Sequence, residues 1–190
     1  MKRKEKMPRN TTRGLMIGRF QPFHNGHLSL TRQILKECDE LIIVIGSAQF
    51  NYIYKDPFSA GERILMIHEA LLESRVDLKK CYIIPISNDD NNSRWFAYLK
   101  SMVPPFNSLY SGNILVTNLT SSSSYKQIRI IQPHYERKRE YNGTSIRRKI
   151  ASGQKWKKFV PASVYRIIER INGEHRIRML SASDSNPQIW

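Results

Sequence analysis

The sequence predicts an α/β fold: a Rossmann-like, open, mostly parallel sheet of five or six strands, with helices on both faces and a helical C-terminal segment. Three observations predict it. Short continuous apolar runs, too uninterrupted for half-exposed strands, alternate with segments of helical periodicity. The residues that punctuate them are glycines, prolines and one capping box. The loops rich in functional residue types, 18–27, 46–57, 87–95, 111–113 and 132–146, all fall where strands would end, and in an open parallel sheet ligands bind at that edge.

Each element has its own justification. "GLMIG" (14–18) reads as a buried strand closed by Gly18. Over 27–38, Leu28, Ile34, Leu35 and Cys38 share a helical face, with Asn25 as the expected N-cap. "LIIVIG" (41–46) is a second buried strand, and Ser59-Ala-Gly-Glu62 is a capping box opening a helix to about Leu72. "CYIIPI" (81–86) is a third strand, and "NNSRWFAYLKSM" a short helix stopped by Pro104-Pro105. Strands follow at 108–113 and 126–131, with a short helix "NILVTNL" and a serine-rich loop (121–124) between them. "GTSIRRKIASG" is helical, with Gly143 near its start and Gly153 past its end. Pro161 suits the first turn of the last main helix, where Val164, Ile167, Ile168 and Ile171 recur on one side.

The 190 residues suit one domain, expected over 14–180 between a flexible basic extension (1–13) and a frayed tail (181–190). Apolar residues make up 40% and charged residues 25%, an ordinary globular balance. No apolar run approaches the roughly 20 residues of a membrane span, and no signal-peptide core follows the N-terminus. The expectation is a soluble cytoplasmic protein without a membrane partner. Cys38 and Cys81 lack any paired spacing, so they read as small core residues.

The net charge of +15 is concentrated. Lys2, Arg3, Lys4, Lys6, Arg9 and Arg13 oppose only Glu5. Within 128–158, Arg129, Arg137, Lys138, Arg139, Arg147, Arg148, Lys149, Lys155, Lys157 and Lys158 oppose Glu136 and Glu140. Such segments can hold a polyphosphate, bind nucleic acid, or form a solvated face.

"GRFQPFHNGH" (18–27) is the densest chemical stretch. Gly18 ends a strand, where a bare backbone admits a ligand, and His24 and His27 lie three apart at a helix start with Gly26 leaving room between them. Free N–H groups at that helix end make an anion site. The HxxH spacing also suits zinc, although no third ligand stands out. Neither a Walker A loop nor GxGxxG is present.

"GRFQPFHNGH" together with "GTSIRR" resembles the HxGH nucleotidyltransferase superfamily. From about Arg13 to Leu180 the chain resembles its archaeal nicotinamide-nucleotide adenylyltransferase family, on the further matches "IGSAQ", "DPFSAGER", "NSRW", "PPF" with "YSGN", and "INGEHRI". The resemblance implies transfer of AMP from ATP to nicotinamide mononucleotide (NMN), giving NAD and pyrophosphate. It also implies Mg²⁺ or another divalent cation carried by ATP with no protein metal ligand, and a homo-oligomer, often a hexamer.

It implies site residues as well. Catalytic roles fall to His24, His27, Arg19 and Arg147, with His27 serving the α-phosphate. ATP contacts fall to Gly18, Arg19, Phe20, Gln21, His24, Gly26, His27 and Lys55, and beyond them to Gly112 and Asn113 near the ribose and to Thr144 and Arg147 on the β- and γ-phosphates. Trp95 would stack on the nicotinamide ring and Asn92 would bond its amide. Two departures stand out: Lys55 replaces a frequent arginine before "DPF", and Asn142 replaces the serine of the SGTxxR box. Two other readings remain open at this stage: the same reaction on another phosphate acceptor, and a non-enzymatic basic nucleic-acid-binding protein.

Overall fold

The computed structural model describes residues 11–89, 91–112, 128–133 and 141–182. The expected helix at 113–119, Asn113 included, and the serine loop at 121–124 lie outside these. Five parallel strands form one open sheet in the order β3-β2-β1-β4-β5: β1 Arg13–Gly18, β2 Glu40–Ile45, β3 Cys81–Pro85, β4 Ser108–Tyr110 and β5 Arg129–Ile131. Helices α1 (Asn25–Glu37), α2 (Ala60–Glu73), α3 (Asn92–Met102), α4 (Gly143–Ala151), α5 (Ala162–Arg170) and α6 (Gly173–Ala182) surround it. Among the described residues, no helix is long and apolar enough to cross a membrane.

The apolar runs are continuous because both faces of the sheet are covered. Leu41, Ile43 and Ile45 of β2 join Met16 and the inner sides of α1, α2, α4 and α5 in one core, while Ile42 and Val44 join Leu15, Leu109 and α3 residues Phe96 and Leu99 in the other. Gly14 lets α1 lie directly on β1, since a Cβ there would stand 2.4 Å from Ile34 Cγ2. The Ser59–Glu62 capping box forms as expected, and Pro161 is the N-cap of α5.

Two sequence expectations need correction. Thr12 and Arg13 belong to the domain rather than to a loose extension: Thr12 N and Oγ1 donate to Asp39 at 2.9 and 2.7 Å, and Arg13 Nε pairs with Glu40 at 2.6 Å. Cys81 is only half-buried, because β3 is an edge strand, whereas Cys38 is a core residue. The chain also continues past α5 into a separate helix, α6. Asn172, at φ 54°, turns the chain, and Gly173 allows contact with Phe58 and Ile168, whose atoms a Cβ would meet at 2.9 and 3.0 Å.

The strand order reverses direction between β1 and β4, the point where two crossovers leave on opposite sides and open a crevice at the carboxyl ends of the strands. The segments that follow β1, β2 and β3, and the start of α4, converge on that edge.

Candidate active site

A cavity of about 340 Å³ occupies this crevice, floored by Met16, Leu30 and Tyr110 and walled by residues of 19–27 and of 141–147. Two sequence segments more than a hundred residues apart therefore form one site. Arg147, only 3% exposed, holds them together: Nη1 donates to the Gln21 carbonyl at 2.7 Å and Nη2 to Thr144 Oγ1 at 3.2 Å. Its Nε is buried without a partner. Burial first, and then the nearby charge of Arg19, pull the guanidinium pKa down, which favours an incoming anion.

The N-cap of α1 is His24, not Asn25. His24 Nδ1 accepts from His27 N at 3.4 Å, and His24 N donates to His27 Nδ1 at 3.2 Å, so the HxxH pair is itself a reciprocal capping box. The rings stack with centroids 3.5 Å apart and 15° between planes, and Phe20 and Phe23 close on His27 at 4.7 and 5.3 Å. Since both Nδ1 atoms accept, the proton of each neutral ring sits on Nε2. Burial pushes His24 down to about 3 and His27 well below the ordinary histidine value, the latter helped by its neighbour's charge. The site therefore offers two neutral N–H donors rather than two bases or two cations.

The helix-end amides are less free than the sequence suggests. His27 N is bonded to His24, and Asn142 Oδ1 accepts from Thr144 N and Ser145 N at 2.9 and 3.3 Å. Asn142 thus supplies an effective cap for α4 where the family pattern has serine. Anions entering the cleft would meet side-chain donors first, with the helix dipoles behind them.

Other expected residues fall into distinct places. Arg19 lines the cavity, 38% exposed, with Nη1 3.5 Å from buried Asp56. Phe20 and Gln21 also line it, but the Gln21 amide is spent on the main chain of Phe58, donating to its carbonyl at 2.8 Å and accepting from its N–H at 3.0 Å. Gly18 is bare for Phe20, whose ring would lie 3.1 Å from a Cβ, rather than for a ligand. Gly26 likewise lets Tyr141 and the His24 ring close in, at 2.9 and 3.2 Å from such a Cβ. Gly18, Lys55 and Gly112 do not line the cavity; Lys55 and Gly112 are exposed.

Trp95 lies in the first turns of α3, partly buried against the α3-side core with its ring 6.4 Å from Phe96, and is not brought to the histidine cleft. Asn92 opens the same helix. The loop leading to them is tied back toward β2, because Asn88 Oδ1 accepts from both Ser47 N and Ser47 Oγ at 3.2 Å. Among the described residues, no three His, Cys, Asp or Glu side chains assemble as a metal site.

Two buried charged residues beside the site escaped the sequence reading. Asp56, 2% exposed, is the carboxylate that faces Arg19, and Arg63 is wholly buried among main-chain carbonyls. The "DPFSAGER" match contains both, but nothing in a charged residue's spacing signals that it will be buried.

A family model described as cytidylyltransferase-like matches residues 15–149. The nicotinamide-nucleotide adenylyltransferase of Pyrobaculum neutrophilum is 46% identical over 179 residues, 94% of this chain and 99% of its own. That of Archaeoglobus fulgidus is 44% identical over 175 residues, covering 90% and 99%. Among solved structures, a bifunctional NMN adenylyltransferase/ADP ribose pyrophosphatase from Francisella tularensis, complexed with AMP and a manganese ion, shares the fold with a TM-score of 0.77 at 23% identity. That match takes in 90% of this chain and 52% of that one, so the chain spans about half the length of the solved structure.

Proposed function

The chain belongs to the nicotinamide-nucleotide adenylyltransferase family, and we propose that its cleft transfers AMP from ATP to the 5′-phosphate of NMN, releasing pyrophosphate and forming NAD. The observation that carries this reading is the pair of stacked, neutral histidines facing a buried arginine across one crevice. The nucleophile, a phosphate with a second pKa of about 6, is already dianionic near neutrality, so no general base is required. Its oxygen attacks the α-phosphorus, the bond to the bridging oxygen breaks, and negative charge accumulates on the α-phosphate and the departing pyrophosphate.

The residues suit that demand. His27 Nε2–H and His24 Nε2–H donate to the α-phosphate region without adding a titrating charge, and the aromatic cage around His27 keeps the donor fixed before the reaction. Arg147 and Arg19 neutralise the β- and γ-phosphates, and the Thr144 hydroxyl donates a hydrogen bond to them. A divalent cation enters with ATP as part of that substrate and shares this task. Trp95, which lies on α3 outside the histidine cleft, and Asn92 would hold the acceptor's ring and amide, and the assembly is a homo-oligomer, which sedimentation velocity measures directly.

The deciding experiment is pyrophosphate release from ATP with a panel of acceptors: NMN, nicotinic acid mononucleotide, pantetheine phosphate and FMN. NMN should be turned over, and His27→Ala, with its melting transition intact, should lose about a hundred- to a thousandfold in kcat, the usual loss for one preorganised donor. Turnover of another acceptor in preference to NMN, or an unimpaired His27→Ala enzyme, would overturn the reading.

A further inference from the structure

We propose that Arg63 is a positioning residue of the nucleotide cleft that acts through Arg19. The proposal rests on the reading of the cleft as an ATP site. Arg63 sits in the first turn of α2 with 0% exposure, and all its hydrogen bonds go to main-chain carbonyls. Nε donates to Ser59 O at 3.2 Å, Nη1 to Arg19 O at 3.1 Å and Gly46 O at 3.0 Å, and Nη2 to Ser47 O at 3.1 Å, with Ala48 O and Phe50 O at 3.5 Å.

The carbonyls of Arg19, Gly46 and Ser47 lie just beyond the ends of β1 and β2, where the ladder that would otherwise occupy them has stopped, and that of Ser59 is at the N-cap of α2 itself. Burying a cation is costly, but an apolar side chain of similar volume would leave these carbonyls without a donor. A guanidinium adds a planar fork of donors with fixed directions, which sets the relative position of the acceptors it meets. Here it clamps the main chain at Arg19 while leaving the Arg19 side chain to line the cleft.

Charge adds a second effect. Arg63 is attracted to Asp56 and repelled by Arg19. Asp56 in turn touches Arg19 at its Nη1. The repulsion directs the Arg19 guanidinium away from the buried clamp and toward the cleft, while Asp56 limits how far it swings. Arg63 makes its hydrogen bonds to main-chain carbonyls rather than to the side chains that line the cavity, so its role is carried by the geometry and charge it imposes on Arg19.

A double-mutant cycle tests this: wild type, R63K, R19A and the double variant, each measured for thermal melting, ATP affinity by calorimetry, and kcat and KM for ATP in pyrophosphate release. R63K keeps the charge but not the fork. It should melt cooperatively and lose at least about tenfold in kcat/KM for ATP, yet cost less than about threefold when Arg19 is already alanine, because effects that pass through one residue do not add. Equal losses in both backgrounds, or none in either, overturn the proposal. If R63K lacks a cooperative transition the cycle is run with R63M, and if both lack one, Arg63 holds the fold rather than the site and the proposal fails. Calorimetric ATP affinity carries the cycle without an acceptor, so a wrong acceptor leaves this test standing, whereas a wild type that binds no ATP refutes the proposed function itself.

Discussion

Replacing His24 by asparagine should flatten the acid side of the stability curve. The structure holds His24 neutral, with its pKa pushed down to about 3 by burial, while the unfolded chain returns it to about 6.5. Between those values the unfolded state binds more protons than the folded one, so stability is fully present above the unfolded pKa and is lost as pH falls. From about pH 7.5 to about pH 5 the shift of roughly 1.5 units matters, and at about 1.4 kcal/mol per unit it removes about 2 kcal/mol. Asparagine keeps a side-chain oxygen able to accept from His27 N, so the helix cap survives while the titration vanishes. Urea unfolding at a series of pH values, analysed with a common slope, should therefore show a pH dependence about 2 kcal/mol shallower for His24→Asn than for the wild type. Carboxylates such as Glu73, held below its ordinary value chiefly by Ser163 N–H, lose stability in the same direction in both proteins and cancel. Parallel curves would refute the argument, because they would mean that His24 titrates alike in the folded and unfolded states and is not locked as an Nε2–H donor.

Three further substitutions probe the same construction. Gly143→Ala places a Cβ 3.0 Å from the Gln21 carbonyl and 3.4 Å from Arg147 Nη1; overpacking there should cost about 1–3 kcal/mol in thermal unfolding and raise KM for ATP. Gly14→Ala drives a Cβ to 2.4 Å from Ile34 and 3.1 Å from the Tyr110 ring, and should lower the unfolding free energy by about 2 kcal/mol or more, with an unchanged midpoint contradicting the close seating of α1 on β1. Trp95→Ala should raise KM for NMN at least about tenfold more than KM for ATP, since a lost stacking platform acts on the flat-ringed substrate alone, and equal effects would assign Trp95 to the α3 core instead.

The fold was legible where local chemistry is unambiguous. "LIIVIG" could only be a strand buried on both faces, and Ser59 with Glu62 could only be a helix start, because those patterns carry their own physical cause. α6 was not legible as a separate helix: Gly173–Ala182 buries only Gly173 and Ile177 among its residues, and its apolar pattern is correspondingly faint. Asn25 drew the cap assignment because asparagine is among the best cap residues, whereas histidine is not a residue from which a cap is expected. The reciprocal His24–His27 arrangement depends on two ring nitrogens meeting two amides, a match of geometry that spacing alone does not encode.

The same limit explains the charges. A sequence reports that Arg147 and Arg63 are cationic, but their environments differ from that of any surface arginine for reasons that lie elsewhere in the chain. Arg147 is buried because α4 folds back over the loop after β1, and only then does its fork meet the Gln21 carbonyl. Arg63 is buried because the chain leaving β1 and the chain leaving β2 both turn their carbonyls toward the start of α2. Asp56 is the carboxylate close to Arg19, and it also draws on Arg63 and Arg147 through space. A cleft lined by Arg19 and Arg147, with Arg63 and one such carboxylate buried behind it, keeps an excess of positive charge with no histidine contributing to it. Burial holds both histidines neutral well below neutrality, so the group that titrates in the working range is the acceptor's own phosphate, whose second pKa of about 6 decides how much dianion is present to attack. The acid limb of the rate profile should accordingly follow the acceptor phosphate and not the enzyme's histidines.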